Sequence, residues 1–268
     1  MTISINNPSN LASNSSSRNT SDILSERLSS GSRINSARDD AAGLAISERL
    51  STKLNGIDAA IRNSGDAISS IQVADGALNS ISKNIGRIQE LAIQSANGAL
   101  NDQDRQALQK EASQLIEESN NILENTNFNG KALLSSDDAF KIQLDSADSS
   151  ISISGKDLLT EFDSLGFSEI DISKQDSAVA AISVLSDASE LTISRATELG
   201  ASSKRIENSI ENLATSRINS AEAKSRISDT DFAKTISDLA TRQIQDQVQI
   251  AMQAQANSNK SSVLRLLS

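Results

Sequence analysis

The sequence predicts a mainly α protein: a long antiparallel helical bundle or coiled coil with a small β-hairpin region. Over most of the chain, Leu and Ile recur at alternating spacings of four and three residues, as in helices that pack along a seam. The single proline, Pro8, leaves the rest of the chain free to form long helices. Because there are five Phe and no Trp or Tyr among the 268 residues, the core must be built mainly from aliphatic side chains.

The chain begins with a weak segment and a short helix. Residues 1–22 are mostly Ser and Asn, which weaken isolated helices, so we expect this segment to be unfolded in a lone subunit. Leu24 and Leu28 lie four residues apart on one helical face. Gly31 suits the left-handed residue that ends a helix, so the first helix is predicted to stop there.

The turn that follows is predicted to start a long helix over 37–96. Ser36 and Asp39 match the spacing of a capping box, and Asp39 and Asp40 suit the positive end of a helix dipole. We interpret this carboxylate pair as helix initiation rather than acid–base chemistry. The predicted seam of the helix consists of Leu50, Leu54, Ile57, Ile61, Ile68, Ile71, Leu78, Ile81, Ile85, Ile88 and Leu91.

A second helix is predicted to return along the first. Asn97 and Gly98 end the first helix, and Asn101, with Asp104 three residues later, can cap a helix that extends to about Asn125. A connection this short implies an antiparallel arrangement.

The apolar pattern changes to a period of two between residues 127 and 173. The apolar residues that alternate with polar ones are Phe140, Ile142, Leu144, Ile151 and Ile153. Residues 145–150 can turn the chain between them, which predicts a β-hairpin. Ile170 and Ile172 predict one more short extended piece.

Two further helices complete the prediction. A third helix is predicted over 176–227, and residues 229–231 break it and can cap a final helix. The apolar residues along the final helix include Phe232, Ile236, Leu239, Ile244, Val248 and Ala251. The chain then ends in an apolar cluster formed by Val263, Leu264, Leu266 and Leu267. Burial against the chain's own bundle is the alternative, but we expect this end to be buried against neighbouring subunits.

The sequence offers no set of residues for catalysis. It contains no His and no Cys, so catalytic or metal constellations that need them are excluded, and no Gly-rich phosphate loop is present. We therefore predict no enzyme activity, no cofactor and no metal, and we interpret the acidic loop 145–148 as a solvated turn. The net charge of −10 disfavours nucleic acid and anionic membranes. No apolar run approaches the roughly 20 residues of a membrane span.

Several stretches resemble bacterial flagellins. RLSSGSRINSARDDAAGLAI, residues 27–46, is similar nearly residue for residue to the N-terminal signature of that family. Further collinear matches lie at 77–98 (ALNSISKNIGRIQELAIQSANG), 127–134 (NFNGKALL), 225–244 (SRISDTDFAKTISDLATRQI) and 263–267 (VLRLL). The resemblance implies a structural protein that polymerises into the helical filament of the flagellum, the propeller for swimming.

The resemblance also implies a domain organisation with paired N- and C-terminal helices. Residues 1–36 would form half of an inner-tube coiled coil plus a spoke, 37–228 an outer-tube rod with three long helices and a hairpin, and 229–268 the other half of the inner tube. Because the middle of the chain is short, the variable outer domains of many flagellins are expected to be absent. The expected polymerisation residues are Leu24, Leu28, Ile244, Val248, Val263, Leu264, Leu266 and Leu267.

The partners implied by the resemblance are copies of this chain, a flagellar export chaperone and the export apparatus, and hook-associated and cap proteins. The location implied is the extracellular filament. The sequence starts without a basic-then-apolar leader, so we expect export through the flagellar type III route without a cleaved signal peptide.

Host receptors that sense flagellin are further expected partners. Arg87, Leu91 and Glu111 match family positions contacted by the vertebrate Toll-like receptor. Residues 27–46 resemble the peptide that plant receptor kinases recognise. The expected contacts within it are Arg27, Gly31, Ile34, Asn35, Asp39, Asp40, Gly43 and Leu44.

Two alternatives remain open. A hook–filament junction protein shares the terminal helices, and a non-polymerising helical adaptor or binding module would share the bundle. Assembly separates them, because an adaptor stays a monomer or small oligomer whereas a flagellin seeds fibres.

Overall fold

The computed structural model describes residues 20–143 and 150–267, and it places six α-helices and two small hairpins within them. The helices are α1 (20–30), α2 (Ala41–Ser95), α3 (Asp102–Asn125), α4 (Leu158–Ser164), α5 (Gln175–Ser228) and α6 (Phe232–Leu267). The strands are β1 (Asn127–Phe128), β2 (Lys131–Ala132), β3 (Phe140–Gln143) and β4 (Ser150–Ile153). The predicted fold class is confirmed. Residues 1–19 and the acidic loop 145–148, on which two of our expectations fall, lie outside the described residues.

The chain divides into two compact units. Asn55–Arg217 contains the main hydrophobic core, and we call it the bundle unit. Met1–Leu54 together with Ile218–Ser268 contains the turn between α1 and α2, and we call it the hinge unit.

The bundle unit has one core of aliphatic side chains to which α2, α3 and α5 contribute. The large apolar residues of α2 that are at most 1% exposed follow the predicted spacing of three and four: Leu78, Ile81, Ile85, Ile88 and Leu91. The same core contains Ala112, Ile116 and Leu123 of α3 and Leu185, Ala188, Leu199 and Ile206 of α5. Seven of the eleven predicted seam residues are buried, whereas Leu50, Leu54, Ile61 and Ile68 are half-buried. The buried aliphatic side chains supply the stability that helical propensity alone does not.

Polar contacts fix the direction of α3 along α2. Asn84 donates to the Ser119 hydroxyl at 3.2 Å, and the Arg87 guanidinium donates to Glu111 at 2.9 Å. As the residue number rises along α2, the partner's number falls along α3. The predicted antiparallel return is confirmed.

The connection between α2 and α3 is closed by a predicted cap and an unpredicted arginine. The Asn101 side chain accepts the N–H of Asp104 at 2.8 Å, as its spacing predicted. Arg105 is buried and donates to the main-chain oxygens of Asn97 at 3.0 Å and Leu100 at 3.2 Å. Its positive charge therefore lies close to the end of α2, where a helix has free carbonyl groups.

One of the two hairpins was predicted and the other was not. β3 and β4 pair in antiparallel register, with Phe140 opposite Ile153 and Gln143 opposite Ser150. The short hairpin of β1 and β2 turns at Asn129 and Gly130, whose φ angles are 50° and 77°. Positive φ at both turn residues is the reason an Asn-Gly pair is a strong hairpin signal.

A helix lies where we predicted only extended structure. Asp157 caps the N-terminus of α4, since its carboxylate accepts the N–H of Thr160 at 3.1 Å. Leu158 and Phe162, one turn apart, are both buried, and the Phe162 ring lies 4.9 Å from that of Phe167. The spacing of Leu158 and Phe162 was the signal for this helix.

The extended piece predicted at Ile170 and Ile172 forms no strand in the described part of the chain. Both side chains are nevertheless buried. Their main chain is held by the side chain of Gln109, and the Ser95 hydroxyl donates to the Ile172 carbonyl at 2.5 Å. Side chains of α2 and α3 thus make the main-chain hydrogen bonds that a neighbouring strand would otherwise make.

The C-terminal helices agree with the prediction. α5 extends from Gln175 to Ser228, within one residue of the predicted bounds. Asp231 then accepts the N–H of Lys234 at 3.1 Å and begins α6, so the predicted cap is confirmed.

Candidate assembly and recognition surfaces

The connector after α1 and the connector after α5 are hydrogen-bonded to each other within the hinge unit. Ser32 and Asp229 form an isolated antiparallel bridge. The Arg33 N–H donates to the Ser228 carbonyl at 2.6 Å, and the Thr230 N–H donates to the Gly31 carbonyl at 3.0 Å. Gly31 has a φ of 69°, which ends α1 as predicted and aims its carbonyl at the second connector.

Side chains of the first connector cap the end of α5. The Arg33 guanidinium donates to the Ile227 carbonyl at 2.6 Å, and the Ser32 hydroxyl donates to the Ser228 carbonyl at 3.0 Å. These are two of the carbonyl groups that a helix leaves free at its C-terminus. Sequence reasoning missed this role of Arg33, because its partner lies almost two hundred residues away and no local pattern reports it.

The predicted capping box at Ser36 is wrong in its position. Asp39 accepts the N–H groups of Asn35 at 3.1 Å and Ser36 at 2.9 Å and so closes a turn, rather than starting the helix. Asp40 is the residue that caps α2, since its carboxylate accepts the N–H of Gly43 at 2.8 Å. The helix therefore begins at Ala41 instead of Ala37.

Hydrogen bonding in this turn also sets the acidity of Asp39. Donation by the main-chain N–H groups of Asn35 and Ser36 lowers the pKa of Asp39 below its ordinary value, and the positive charge of Arg27 acts in the same direction. The carboxylate is thus held ionised at the position where it closes the turn.

Gly43 allows the turn to lie against α2. A Cβ atom at Gly43 would lie 2.7 Å from Cδ1 of Ile34 and 2.5 Å from Oδ2 of Asp40, and both distances are too short. Ile34 is 6% exposed, so a buried side chain fills the space that glycine leaves open. Most of the predicted plant-receptor residues lie in this one turn. Arg27 precedes the turn in the sequence, Leu44 follows it, and both side chains are half-buried.

The three residues matched to the Toll-like receptor contact have different surroundings. Arg87 and Glu111 form an ion pair with 2.8 Å between Nη2 and Oε1, and about half of each side chain is exposed. Arg87 also contacts Glu90 at 3.0 Å, and hydrogen bonding to Glu111 raises the pKa of Arg87. Leu91 is 1% exposed and belongs to the core of the bundle unit. Only the charged pair is accessible in a lone copy.

Most of the large apolar residues of α6 whose side chains are described are exposed. Ile244 and Val248 are 61% and 54% exposed, and Phe232 and Ile236 are about half exposed. Leu24 and Leu28 of α1 are half-buried. The backbone of residues 263–267 is helical, but the side chains of Val263, Leu264, Leu266 and Leu267 lie outside the described residues. An unburied row of large apolar side chains is typical of a surface that another protein covers.

The described residues offer no metal centre and no membrane span. Across 20–143 and 150–267, no three His, Cys, Asp or Glu side chains come together to hold an ion. Within the same ranges, every helix is too short or too polar to cross a bilayer.

Family models and relatives match both ends of the chain. The model of the N-terminal helical region of bacterial flagellin matches residues 2–139, and that of the C-terminal helical region matches residues 182–267. A flagellin from Halalkalibacterium halodurans is 40% identical over 246 residues, covering 90% of each chain. A flagellin from Bacillus subtilis is 36% identical over 94% of each chain. A flagellar filament core protein from Treponema maltophilum is 36% identical over 91% of this chain and 90% of its own.

Solved structures agree with these matches. The crystal structure of Bacillus cereus flagellin superposes with a TM-score of 0.51 at 30% identity, over 57% of this chain and 88% of that one. A candidate flagellar hook-associated protein from Vibrio parahaemolyticus gives a TM-score of 0.60 over 71% of this chain and all of its own, but at 15% identity it shows the fold alone. With two helical regions matched in order and relatives aligned over nine-tenths of its length, this chain belongs to the bacterial flagellin family, as a short form.

Proposed function

We infer that this chain is a structural subunit that polymerises into the helical filament of the bacterial flagellum. The observation that carries this inference is the row of exposed apolar side chains on α6, which one copy of the chain leaves uncovered. Family membership indicates which protein covers this surface, because relatives named as flagellins and filament core proteins align over most of this chain. Copies of the same chain are then the partner that buries α6.

The proposed roles of the chain segments follow from this function. Residues 1–36 and 229–268 form the inner-tube coiled coil and its spoke, and residues 37–228 form the outer-tube rod. The bridge between Ser32 and Asp229 supports this assignment, because it ties the two connectors that lead to the chain ends. Leu24, Leu28, Ile244, Val248 and the four residues Val263, Leu264, Leu266 and Leu267 are the proposed polymerisation residues.

Substitution on α6 tests the proposal. Ile244→Asp places a charge in the apolar row, so seeded monomers should fail to elongate filaments while retaining the helical content of the wild type. Gln245→Asp adds the same charge at the neighbouring exposed position and should still elongate. Electron microscopy and sedimentation measure both. If Ile244→Asp polymerises as fast as Gln245→Asp, α6 is not the assembly surface.

A hook–filament junction protein, which would share the terminal helices, is the second candidate. Expression in a strain that lacks its filament protein separates the two. A filament subunit restores long filaments and swimming, whereas a junction protein leaves bare hooks. If the chain is instead a helical adaptor, the purified protein should remain a monomer or small oligomer after seeding.

The proposed location is the extracellular filament. We propose export through the flagellar type III route without a cleaved signal peptide. The remaining proposed partners are a flagellar export chaperone, the export apparatus, and hook-associated and cap proteins. Loss of secretion in a strain without the flagellar export apparatus, with an intact N-terminus on any secreted protein, is the expected result.

Recognition by host receptors is a further part of the proposal. Arg87 and Glu111 form the accessible contact for the vertebrate Toll-like receptor, and Leu91 supports them from the core. A double substitution, Arg87→Ala with Glu111→Ala, should reduce reporter-cell signalling, whereas Lys204→Ala, which removes another exposed ion pair, should not. For the plant receptor, Asp39→Ala in the turn is compared with Asp22→Ala in α1. Wild-type monomer that leaves the reporters silent refutes recognition.

A further inference from the structure

Residues 247–255 of α6, QVQIAMQAQ, alternate between Gln and apolar side chains at every position except Ala251. The even positions are apolar: Val248, Ile250, Met252 and Ala254. The odd positions are Gln at four places and Ala at one. The nine residues include no charge, no Pro and no Gly. A period of two is the pattern of a β-strand, although the segment lies in a helix.

In the helical form this alternation distributes the apolar residues around the axis. Residues two apart in a helix are separated by about 200°, so Val248 and Met252 lie on one side and Ile250 on the other. All nine residues are exposed, with Val248, Ile250 and Met252 at 54%, 58% and 67%. Since most of the stability of a helix comes from packing one face, this part of α6 is weakly supported in a lone copy.

In an extended form the same residues would separate by face. One face would carry Val248, Ile250, Met252 and Ala254, and the other would carry the Gln side chains. Stacked in register on identical segments, the Gln side chains would hydrogen-bond along a ladder and the apolar faces would interdigitate. The partner that fits both faces best is therefore the same segment of a second copy.

We propose that residues 247–255 form a self-pairing segment that adds as a β-strand to the same segment of another copy whenever α6 is uncovered. Charged residues bound the segment, with Arg242 and Asp246 on one side and Lys260 on the other, and they limit the length of chain that can pair. The proposal is independent of the filament function, in which α6 assembles as a helix. It predicts a competing, cross-β association of the free monomer.

The test uses the full chain, agitated as seed-free monomer at neutral pH. We expect thioflavin T fluorescence to rise and the product to show the 4.7–4.8 Å and ~10 Å reflections of a cross-β fibre. The double variant Gln247→Lys with Gln249→Lys leaves every apolar residue in place. On a strand it puts two positive charges on one face, where in-register copies repel one another. Its rate of cross-β formation should fall at least tenfold.

The matched control is Asn257→Lys with Ser261→Lys, which adds the same charge to exposed positions of α6 beyond the segment. It should form cross-β fibres at the wild-type rate. Equal rates for the two double variants overturn the proposal, as does wild-type protein that never gives the 4.7–4.8 Å reflection. Seeded growth of helical filaments is measured in parallel, so a failure of the filament function is seen separately.

Discussion

The side chain of Gln109 holds the main chain at Ile172 as a neighbouring β-strand would. Its Oε1 accepts the Ile172 N–H at 2.6 Å, and its Nε2 donates to the Ile170 carbonyl at 3.2 Å. A single residue of α3 therefore satisfies the donor and the acceptor of a segment that has no strand partner among the described residues. This segment leads directly into α5, which begins at Gln175.

Replacing Gln109 should destabilise the bundle unit. Gln109→Ala leaves the Ile172 N–H and the Ile170 carbonyl without this partner, which we expect to cost about 1–3 kcal/mol in the free energy of unfolding. Urea denaturation followed by circular dichroism measures the change. Gln109→Glu keeps the acceptor but loses the donor. Its loss of stability should therefore be smaller at a pH low enough to protonate the new carboxyl, which can then donate to the Ile170 carbonyl. A stability of Gln109→Ala equal to the wild type would contradict the assigned role.

Two glycines in α2 should respond oppositely to the same substitution. Gly43→Ala forces Cβ onto Ile34 and the Asp40 carboxylate, so it should lose the Asp40 cap, worth about 1 kcal/mol, and disturb the buried Ile34. Gly56→Ala meets no atom within 4 Å, and it should stabilise the helix by up to about 1 kcal/mol. Thermal unfolding of the pair checks both signs, and a stabilising Gly43→Ala would refute the close approach.

The acidity of Asp39 should depend on the turn that it closes. Its pKa is lowered in the folded state, so its stabilising contribution is present above the unfolded pKa of about 3.9 and is lost as the pH falls through the folded value. Ser36→Ala removes one donor and should move the pKa of Asp39 part of the way back, since two main-chain donors remain. A carboxyl-carbon NMR titration reads this pKa directly. An unchanged value in Ser36→Ala would mean that the hydroxyl contributes nothing.

Gly31 should control the shape of the proposed filament. Its φ of 69° is unfavourable for a β-branched residue by about 1–2 kcal/mol, so Gly31→Val should rearrange the link between the two connectors. Swimming speed and filament waveform by fluorescence microscopy are the readouts. Gly31→Asn, which tolerates the left-handed conformation, should retain the wild-type waveform. A normal waveform in Gly31→Val would exclude this turn as the element that sets filament shape.

The long helices and their seam could be predicted because their signals are local and repeated. A spacing of three and four over many turns fixes which face is buried, and it placed Leu91 in the seam. Because that seam residue is only 1% exposed, its side chain is not accessible to a receptor in a lone copy, although the family resemblance implied a contact there. The caps at Asn101 and Asp231 were also local signals, and both are observed.

The parts that were missed depend on partners distant in sequence or on competition between neighbouring residues. Gln109 and Ile172 are 63 residues apart, and no pattern on either side reports their pairing. At the start of α2, Asp39 and Asp40 both suit a cap, and only the folded turn decides that Asp39 faces backwards. The β1–β2 hairpin, by contrast, could have been predicted locally, because the Asn129-Gly130 pair indicates a turn with positive φ at both residues.

The bridge between Ser32 and Asp229 turns the intervening polypeptide into a closed loop, since its partners are almost two hundred positions apart along the chain. Enlarging such a loop is inexpensive: each doubling of its length costs only about 0.6 kcal/mol in closure entropy. New sequence inserted between β3 and β4 would therefore leave the hydrogen bonds between the two connectors unchanged. Variants of this chain could gain residues at that position at little cost in stability and still keep the bridge that closes the loop.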